Sequence, residues 1–594
     1  MHHRISRIAS TTTALAALLA GCAMPILPAD SIDAVHATTP AVDIDVTQDA
    51  QRRLVVRYRA PESVTHLDFL VAGNTDELFR TPSMKPADDC GTLVPDGITL
   101  RRGAGCEHGA TFVVTLKVFD LDAMYEPAQP SSDGGVLFYT AYYAAVATGL
   151  PLRWHFTPAP GDYGVDDGRR HDAPWVVEPG LVYDGPKPKG TGDQREDWHW
   201  IARQHAQHDV YLGHSPSTQS GRLLWVRDPA VKQSTVDAVG RAAPAAWDAY
   251  ARAAARQPEE SVAIVELGMA GNYGYHGDRS EGHMLRLAFA LGDDHVDAIA
   301  GKFVAHEVAH LWNVGVFTSD QDHPWLHEGD AEWAALNAMH DAGLLTDAAF
   351  VDELQGRIDN CVMVRGEQAA ASVANGRSRD DPYGCGVALQ LLGFARVHAG
   401  HADATPLSVW GALHRAHPAL DEAGFAQFFD TGATPVFAPL LLDGTTPFSS
   451  TYLAGLRAYL PLRESVAELA PGSARRSVAA RLMNVIQRAD CNGTGFSLST
   501  SGEKGEFVVD DDLKCKTLPA ASHVTSFEGV PALWQPRAAW RAVQQACAAG
   551  GRFSVGFEGR APVALACPNP MPAPPTQFTL PADVLLRLGL TKTS

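Results

Sequence analysis

Three residues in one short run could do chemistry together: His306, Glu307 and His310, within Lys302-Phe303-Val304-Ala305-His306-Glu307-Val308-Ala309-His310-Leu311-Trp312-Asn313. Residues four apart share a helix face, so both imidazoles can offer a nitrogen to one cation, with Glu307 one position round. A catalytic zinc ion takes three protein ligands and keeps one position open, so a third donor must come from elsewhere. Glu328, in Trp325-Leu326-His327-Glu328-Gly329, is the best candidate, being far enough along for the chain to turn and return on a second helix. Zinc lowers the pKa of a water it binds, Glu307 can then take the proton, and the cation polarises a scissile carbonyl. The same pattern also occurs as polar decoration on exposed helices. Here Phe303, Val304, Val308, Ala309, Leu311 and Trp312 make the helix largely buried. Two imidazoles and a carboxylate are costly to bury without a partner, and a metal supplies one.

The surrounding pattern provides elements to hold these groups. Strands are expected at Arg222–Val226, Ser261–Leu267 and Met284–Phe289, with a helix over 233–256. Gly268, just past the second of these strands, is a candidate substrate contact. After Glu328 the apolar spacing is helical at Ala331–Ala342, Thr346–Cys361 and Gly386–His398. Pro382-Tyr383-Gly384-Cys385-Gly386 puts a phenol at the start of the last helix, where Tyr383 could donate to an oxyanion or pack at the helix start.

Upstream, short alternating runs at Leu54–Tyr58, Leu67–Val71, Phe112–Val118 and Val136–Thr140 predict an N-terminal antiparallel β-domain. The chain opens with basic residues and an apolar run through Leu19, the pattern of a secretory signal and too short to span a bilayer. Its end, Leu19-Ala20-Gly21-Cys22, resembles the bacterial lipobox, which implies a lipid on Cys22. Ala23 favours the outer membrane by resemblance to Gram-negative sorting rules, so a cell-envelope lipoprotein facing the periplasm is expected. No other stretch is apolar over about 18 residues, so the membrane partner is reached by an anchor and not by a span.

With 48 basic against 68 acidic residues the formal charge is -20, which argues against a nucleic-acid partner. At 594 residues the chain is long enough for several domains. Apart from Cys22, eight cysteines fall in neighbouring pairs, Cys90 with Cys106, Cys361 with Cys385, Cys491 with Cys515 and Cys547 with Cys567. Sequential disulfides are expected in an exported chain, each worth about 3 kcal/mol on the chain-entropy model.

These motifs carry a family resemblance. The run His306–Asn313 is similar to the H-E-x-x-H-x-W-N segment of the glycyl aminopeptidase family, and Trp325–Gly329 resembles the W-x-x-E-G segment of the gluzincin peptidases to which that family belongs. Tyr383 and Gly386 match the family's Y-x-K-G motif, with Cys385 in the lysine position. The resemblance implies one zinc ion on His306, His310 and Glu328, with Glu307 as base and Tyr383 as oxyanion donor. It also implies an N-terminal β-domain, a thermolysin-like catalytic domain and a small C-terminal PDZ-like α+β domain. In thermolysin-like folds an edge strand beside the metal binds extended peptide, and the strands near 261–267 and 284–289 are expected to form that wall. Of the glutamates that could grip a substrate's free amino group, Glu281 is the nearest to the motif and Glu266 the second.

The domain reading is 1–21 signal peptide, 22–40 lipidated tether, 41–220 β-domain, 221–475 catalytic domain, 478–570 PDZ-like domain and 571–594 tail. A zinc metallopeptidase acting on peptides, aminopeptidase-like, is the function expected. A catalytically inactive peptide-binding lipoprotein and a zinc hydrolase of a non-peptide substrate stay open beside it.

Overall fold

Period-two burial sets the N-terminal strands. In β1 (Val42–Gln48) every second side chain is buried, and in β2 (Leu54–Arg59) Leu54, Val56 and Tyr58 are. The computed structural model describes residues 40–591, except 50, 71–79, 95–98, 104, 107–108, 117–126, 179–207, 270–274, 281–282, 293–295, 321, 367–380, 432–433, 466–471, 494, 500–504, 511–512 and 576. The signal peptide, Cys22 and all but the last residue of the tether thus lie outside the described residues. Among the described residues no helix is long and apolar enough to cross a membrane.

Farther along come β3 (Val136–Tyr139), β4 (Leu152–Thr157), β5 (Tyr163–Asp166), β6 (Arg169–His171), β7 (Trp175–Val177) and β8 (Asp209–Gly213). One sheet runs β7-β4-β1-β2, then Ala110–Val114 and Met84–Pro86; a second runs β6-β5-β8-β3, then Ala128–Pro130. The β-domain expected to be antiparallel contains one parallel pair, β1 beside β4, with Val42 opposite Leu152 and Thr47 opposite Thr157. A long crossover separates the two strands, so hairpin geometry does not fix their direction.

The next sheet is built from β9 (Ser217–Ser220), β10 (Leu223–Arg227), β11 (Val262–Met269), β12 (Tyr275–Ser280) and β13 (Met284–Ala290), with α1 (Gln233–Ala254) between β10 and β11. Its order is β9-β10-β11-β13-β12, with β10, β11 and β13 mutually parallel and both outer strands antiparallel to their neighbours. β9 already belongs to it, so this sheet begins ahead of the expected 220/221 boundary. Leu137, Tyr163, Val165 and Tyr211 pack against Leu224, Val226, Ala263, Val265, Leu267 and Met284, joining the two regions face to face. The cleft wall needs correction: the edge strand is β12 and neither of the two apolar segments expected there. Its sequence, Tyr-His-Gly-Asp-Arg-Ser, lacks the apolar run that marks a strand.

Helices cover the other face: α2 (Val296–Leu311), α3 (Glu328–Asp341), α4 (Asp347–Arg365), α5 (Asp381–Gly400) and α6 (Pro406–Ala416). The α4 start is set by Thr346, whose hydroxyl accepts from the Ala349 amide at 3.3 Å. In the C-terminal region α7 (Ser473–Asp490) precedes β14 (Phe496–Ser499), β15 (Glu506–Val509) and β16 (His523–Phe527), followed by α8 (Pro536–Gly550), β17 (Arg552–Phe557) and β18 (Val563–Ala566). The strands form an antiparallel sheet in chain order, sharing a core of Leu482, Ile486, Phe507, Phe527, Trp540 and Phe553 with the two helices. The segment read as a tail returns to the catalytic region. β19 (Gln577–Thr579) pairs with Arg463–Ser465, and Leu580, Val584, Leu585 and Leu588 join the large helical core.

Disulfides link Cys90 with Cys106, Cys361 with Cys385, Cys491 with Cys515 and Cys547 with Cys567. The second ties α4 to the first turns of α5. Replacing Cys361 and Cys385 together by serine is expected to lower stability by about 3 kcal/mol. Thermal denaturation checks this, and a reductant should destabilise the parent chain more than the double variant.

Candidate metal centre

α2 is buried on nearly every side: Val304, Ala305, Val308, Ala309 and Leu311 enter the large core, and Tyr250 on α1 donates to the Ala305 carbonyl at 3.0 Å. His306, Glu307 and His310 are 5%, 6% and 8% exposed. After Leu311 the helix widens into one turn over Trp312–Val316, and the Trp312 indole donates to the Arg256 carbonyl at 2.8 Å, fixing the end of α2 to the end of α1. The chain then returns through Pro324–Leu326 to place Glu328 at the first position of α3.

This path brings three donor atoms together. His306 Nε2 and His310 Nε2 are 3.1 Å apart, and Glu328 Oε2 lies 3.2 Å from the first and 3.5 Å from the second. Burial alone would push His306 down, yet Glu328, Glu332 and Glu307 carry it up to about 10. Burial raises the Glu307 carboxyl, against the pull of both histidines. Burial would raise Glu328 as well, but His310 and His306 hold it well below the usual carboxylate range. Glu307 and Glu328, two carboxylates beside two imidazoles in a buried site, are stabilised by added positive charge. Two nitrogens and one oxygen converging on a point are the donor set of a zinc site with an open position. The residues present fit that ion.

A shell of partners, which the motif reading missed, aims the ligands. His310 Nδ1 lies 3.2 Å from Asn313 Oδ1, and Asn313 Nδ2 donates to the His327 carbonyl at 2.7 Å and to Asp330 Oδ2 at 3.1 Å. Asp330, 1% exposed, also accepts from Gln390 at 2.7 Å, Trp410 at 2.9 Å and His414 at 3.0 Å. With Nδ1 turned to Asn313, Nε2 of His310 is left to face His306. On the other side His306 Nδ1 lies 3.3 Å from Glu332 Oε2, and Glu332 is itself held by Arg357 and by Lys302, 3.5 Å away. Asn313 was visible in the sequence beside the motif; Asp330 and Glu332 had only their place on one face of α3 as a signal.

Tyr383 lies in the first turn of α5, its ring 5.6 Å from that of His306. Burial, and then the charges of Glu328 and Glu307, push its hydroxyl up, so it stays protonated. It can stand there because α3 and α5 cross at glycine. A Cβ added to Gly386 would lie 2.3 Å from the Gly329 Cα, and one added to Gly329 would lie 2.4 Å from the Gly386 Cα and the Pro382 carbonyl oxygen. β12 runs beside α2, with Tyr275 edge-on to Phe303 at 4.6 Å. Among the described residues its outer edge has no strand partner.

The remaining sequence candidates fare differently. Gly268 sits on β11, two strands in from that edge, and its amide is spent on Asp228 Oδ2 at 3.0 Å, so the structure does not bring it to the centre. Glu281 lies outside the described residues. Glu266 is sealed in the core, where burial pushes its carboxyl up to about 8.

No family model matches the sequence, and no curated protein matches it. Solved structures do. An aminopeptidase N family protein from Idiomarina loihiensis superposes over 93% of this chain and 100% of its own, with TM-score 0.55 and 11% identity. An M1 zinc metallopeptidase from Deinococcus radiodurans matches over 70% of this chain and 93% of its own, at 11% identity and TM-score 0.36. Yeast LTA4 hydrolase matches over 76% and 72%, at 12% identity and TM-score 0.35. What the chain shares with the first of these is the fold, a β-sheet domain followed by a helical one.

Two outcomes are expected. Asn313→Ala frees the His310 ring and should weaken zinc binding by about 10–100-fold, read by competition with a chromophoric chelator. Gly386→Ala forces α3 and α5 apart and should cost about 1–3 kcal/mol of stability, read by thermal denaturation.

Proposed function

We propose that this chain is an exported zinc metallopeptidase that hydrolyses peptide bonds as an aminopeptidase, anchored through lipid on Cys22 in the outer membrane and facing the periplasm. The observation that carries the hydrolase reading is the convergence of His306, His310 and Glu328 on one point, with Glu307 and Tyr383 beside it. The export and anchor rest on the leader and its Leu-Ala-Gly-Cys end.

Zinc bound there would supply a Lewis acid toward the substrate carbonyl and lower the pKa of water. The protein supplies the rest. His306 and His310 hold their Nε2 atoms toward the centre, braced from behind by Glu332 and Asn313. The Glu307 carboxylate takes the proton of the attacking water and delivers it to the departing amine. The Tyr383 hydroxyl donates to the carbonyl oxygen as negative charge grows there. The open edge of β12 offers backbone donors and acceptors to an extended peptide. Glu281, which lies outside the described residues, is the candidate for binding the free amino group on the sequence resemblance alone. The C-terminal module over 478–570 would act as a PDZ-like peptide-binding domain behind the catalytic domain of 221–475.

Glu307→Gln keeps the three ligands and should lower peptide hydrolysis by about 10²–10⁴-fold with zinc content unchanged. Undiminished turnover would contradict the assignment. Comparing matched peptides with free and acetylated amino termini then separates the aminopeptidase from an endopeptidase. Peptide binding without hydrolysis in the parent chain would indicate a binding lipoprotein, and zinc without either would indicate a hydrolase of another substrate.

A further inference from the structure

A second cluster of metal-ligating side chains lies where the N-terminal region rests on the catalytic sheet. β5 ends at Asp166, and Asp167 and Gly168, with φ of 47° and 68°, turn the chain into β6. That turn is pressed onto the start of β11: a Cβ on Gly168 would lie 2.0 Å from the Ser261 carbonyl oxygen. His208 stands just before β8, its backbone exchanging hydrogen bonds with Thr140. Asp166, Asp167 and His208 each bring one donor atom to a point, and the three atoms lie within 4.8 Å of one another.

One carboxylate oxygen there lacks a hydrogen-bond donor. Asp166 is 3% exposed; its Oδ2 accepts from the Trp175 indole at 3.3 Å, which leaves Oδ1, and Oδ1 meets no donor. Next along the chain from His208, Asp209 is wholly buried and neither of its carboxylate oxygens accepts a hydrogen bond, the charges of Arg286 and His208 being what offsets its burial. A buried carboxylate oxygen without a donor is costly unless a positive charge joins it. One side is open: the Asp167 side chain is 37% exposed, so an ion has a way in.

We propose that Asp166, Asp167 and His208 form a further binding site for a divalent first-row transition-metal cation, which ties the β5–β6 turn to the start of β8 where the two rest on the catalytic sheet. Two carboxylate oxygens and one imidazole nitrogen suit zinc or manganese better than calcium, which gathers six to eight oxygens.

The test uses the whole mature chain, free zinc as the probe, and five proteins: parent, His208→Gln, Asp167→Asn, His310→Ala and the double variant His208→Gln/His310→Ala. Equilibrium dialysis with metal analysis should find one zinc fewer per chain in His208→Gln and in Asp167→Asn than in the parent. Zinc should raise the Tm of His310→Ala and lose that effect when His208→Gln is added. His310→Ala reports on the other centre, so failure of the zinc assignment to His306, His310 and Glu328 would leave that variant's zinc content equal to the parent's without touching this comparison. Circular dichroism checks folding, and the partly exposed Asp167 is the variant least able to disturb it. Parent-like zinc content in both His208→Gln and Asp167→Asn would overturn the proposal.

Discussion

The centre depends on how closely two helix ends can approach. Glu328 opens α3 and Tyr383 opens α5, and both reach the same point only because Gly329 and Gly386 lie in backbone contact. Any side chain at either position would separate the helices by more than a hydrogen bond's tolerance. The Cys361–Cys385 bond, next to Gly386, then holds α5 against α4. The crossing sets the oxyanion donor relative to the third ligand, and α2 supplies the other two.

Around that crossing the polar groups form two opposed braces. Asp330 collects Asn313, Gln390, Trp410 and His414 in a buried knot, so one carboxylate joins the end of α2, α5 and α6 to α3 and fixes the orientation of His310. On the far side Glu332 sits between His306 and the cations Arg357 and Lys302. A buried carboxylate with several donors is tolerated where an unpaired one is not, and removing one partner leaves the others exposed to the full cost. The ligands are therefore held by groups on five helices, α2 to α6.

Much of this was legible in the sequence, for physical reasons. His306, His310 and Glu307 follow from helical spacing in an apolar setting, Glu328 from the distance needed to turn back, and the four disulfides from neighbouring cysteines. The strands of the catalytic sheet that are buried on both faces read as continuous apolar runs. β12 did not: an edge strand buries little, so Tyr275–Ser280 carries no periodic signal, and the cleft wall was placed on its inner neighbours. Gly268 lies on one of those inner strands; which strand is outermost is a property of sheet order and not of local pattern. The parallel pairing of β1 with β4 and the return of Leu580–Leu588 to the catalytic core were equally invisible, since both depend on contacts between distant segments.

The most direct test of the account is anomalous diffraction at the zinc edge from crystals of the mature protein. The account predicts a peak about 2.0–2.2 Å from His306 Nε2, His310 Nε2 and a Glu328 carboxylate oxygen, with Tyr383 and Glu307 facing it. Zinc-soaked crystals with no peak at that point, or a peak that Glu328 turns away from, would contradict it.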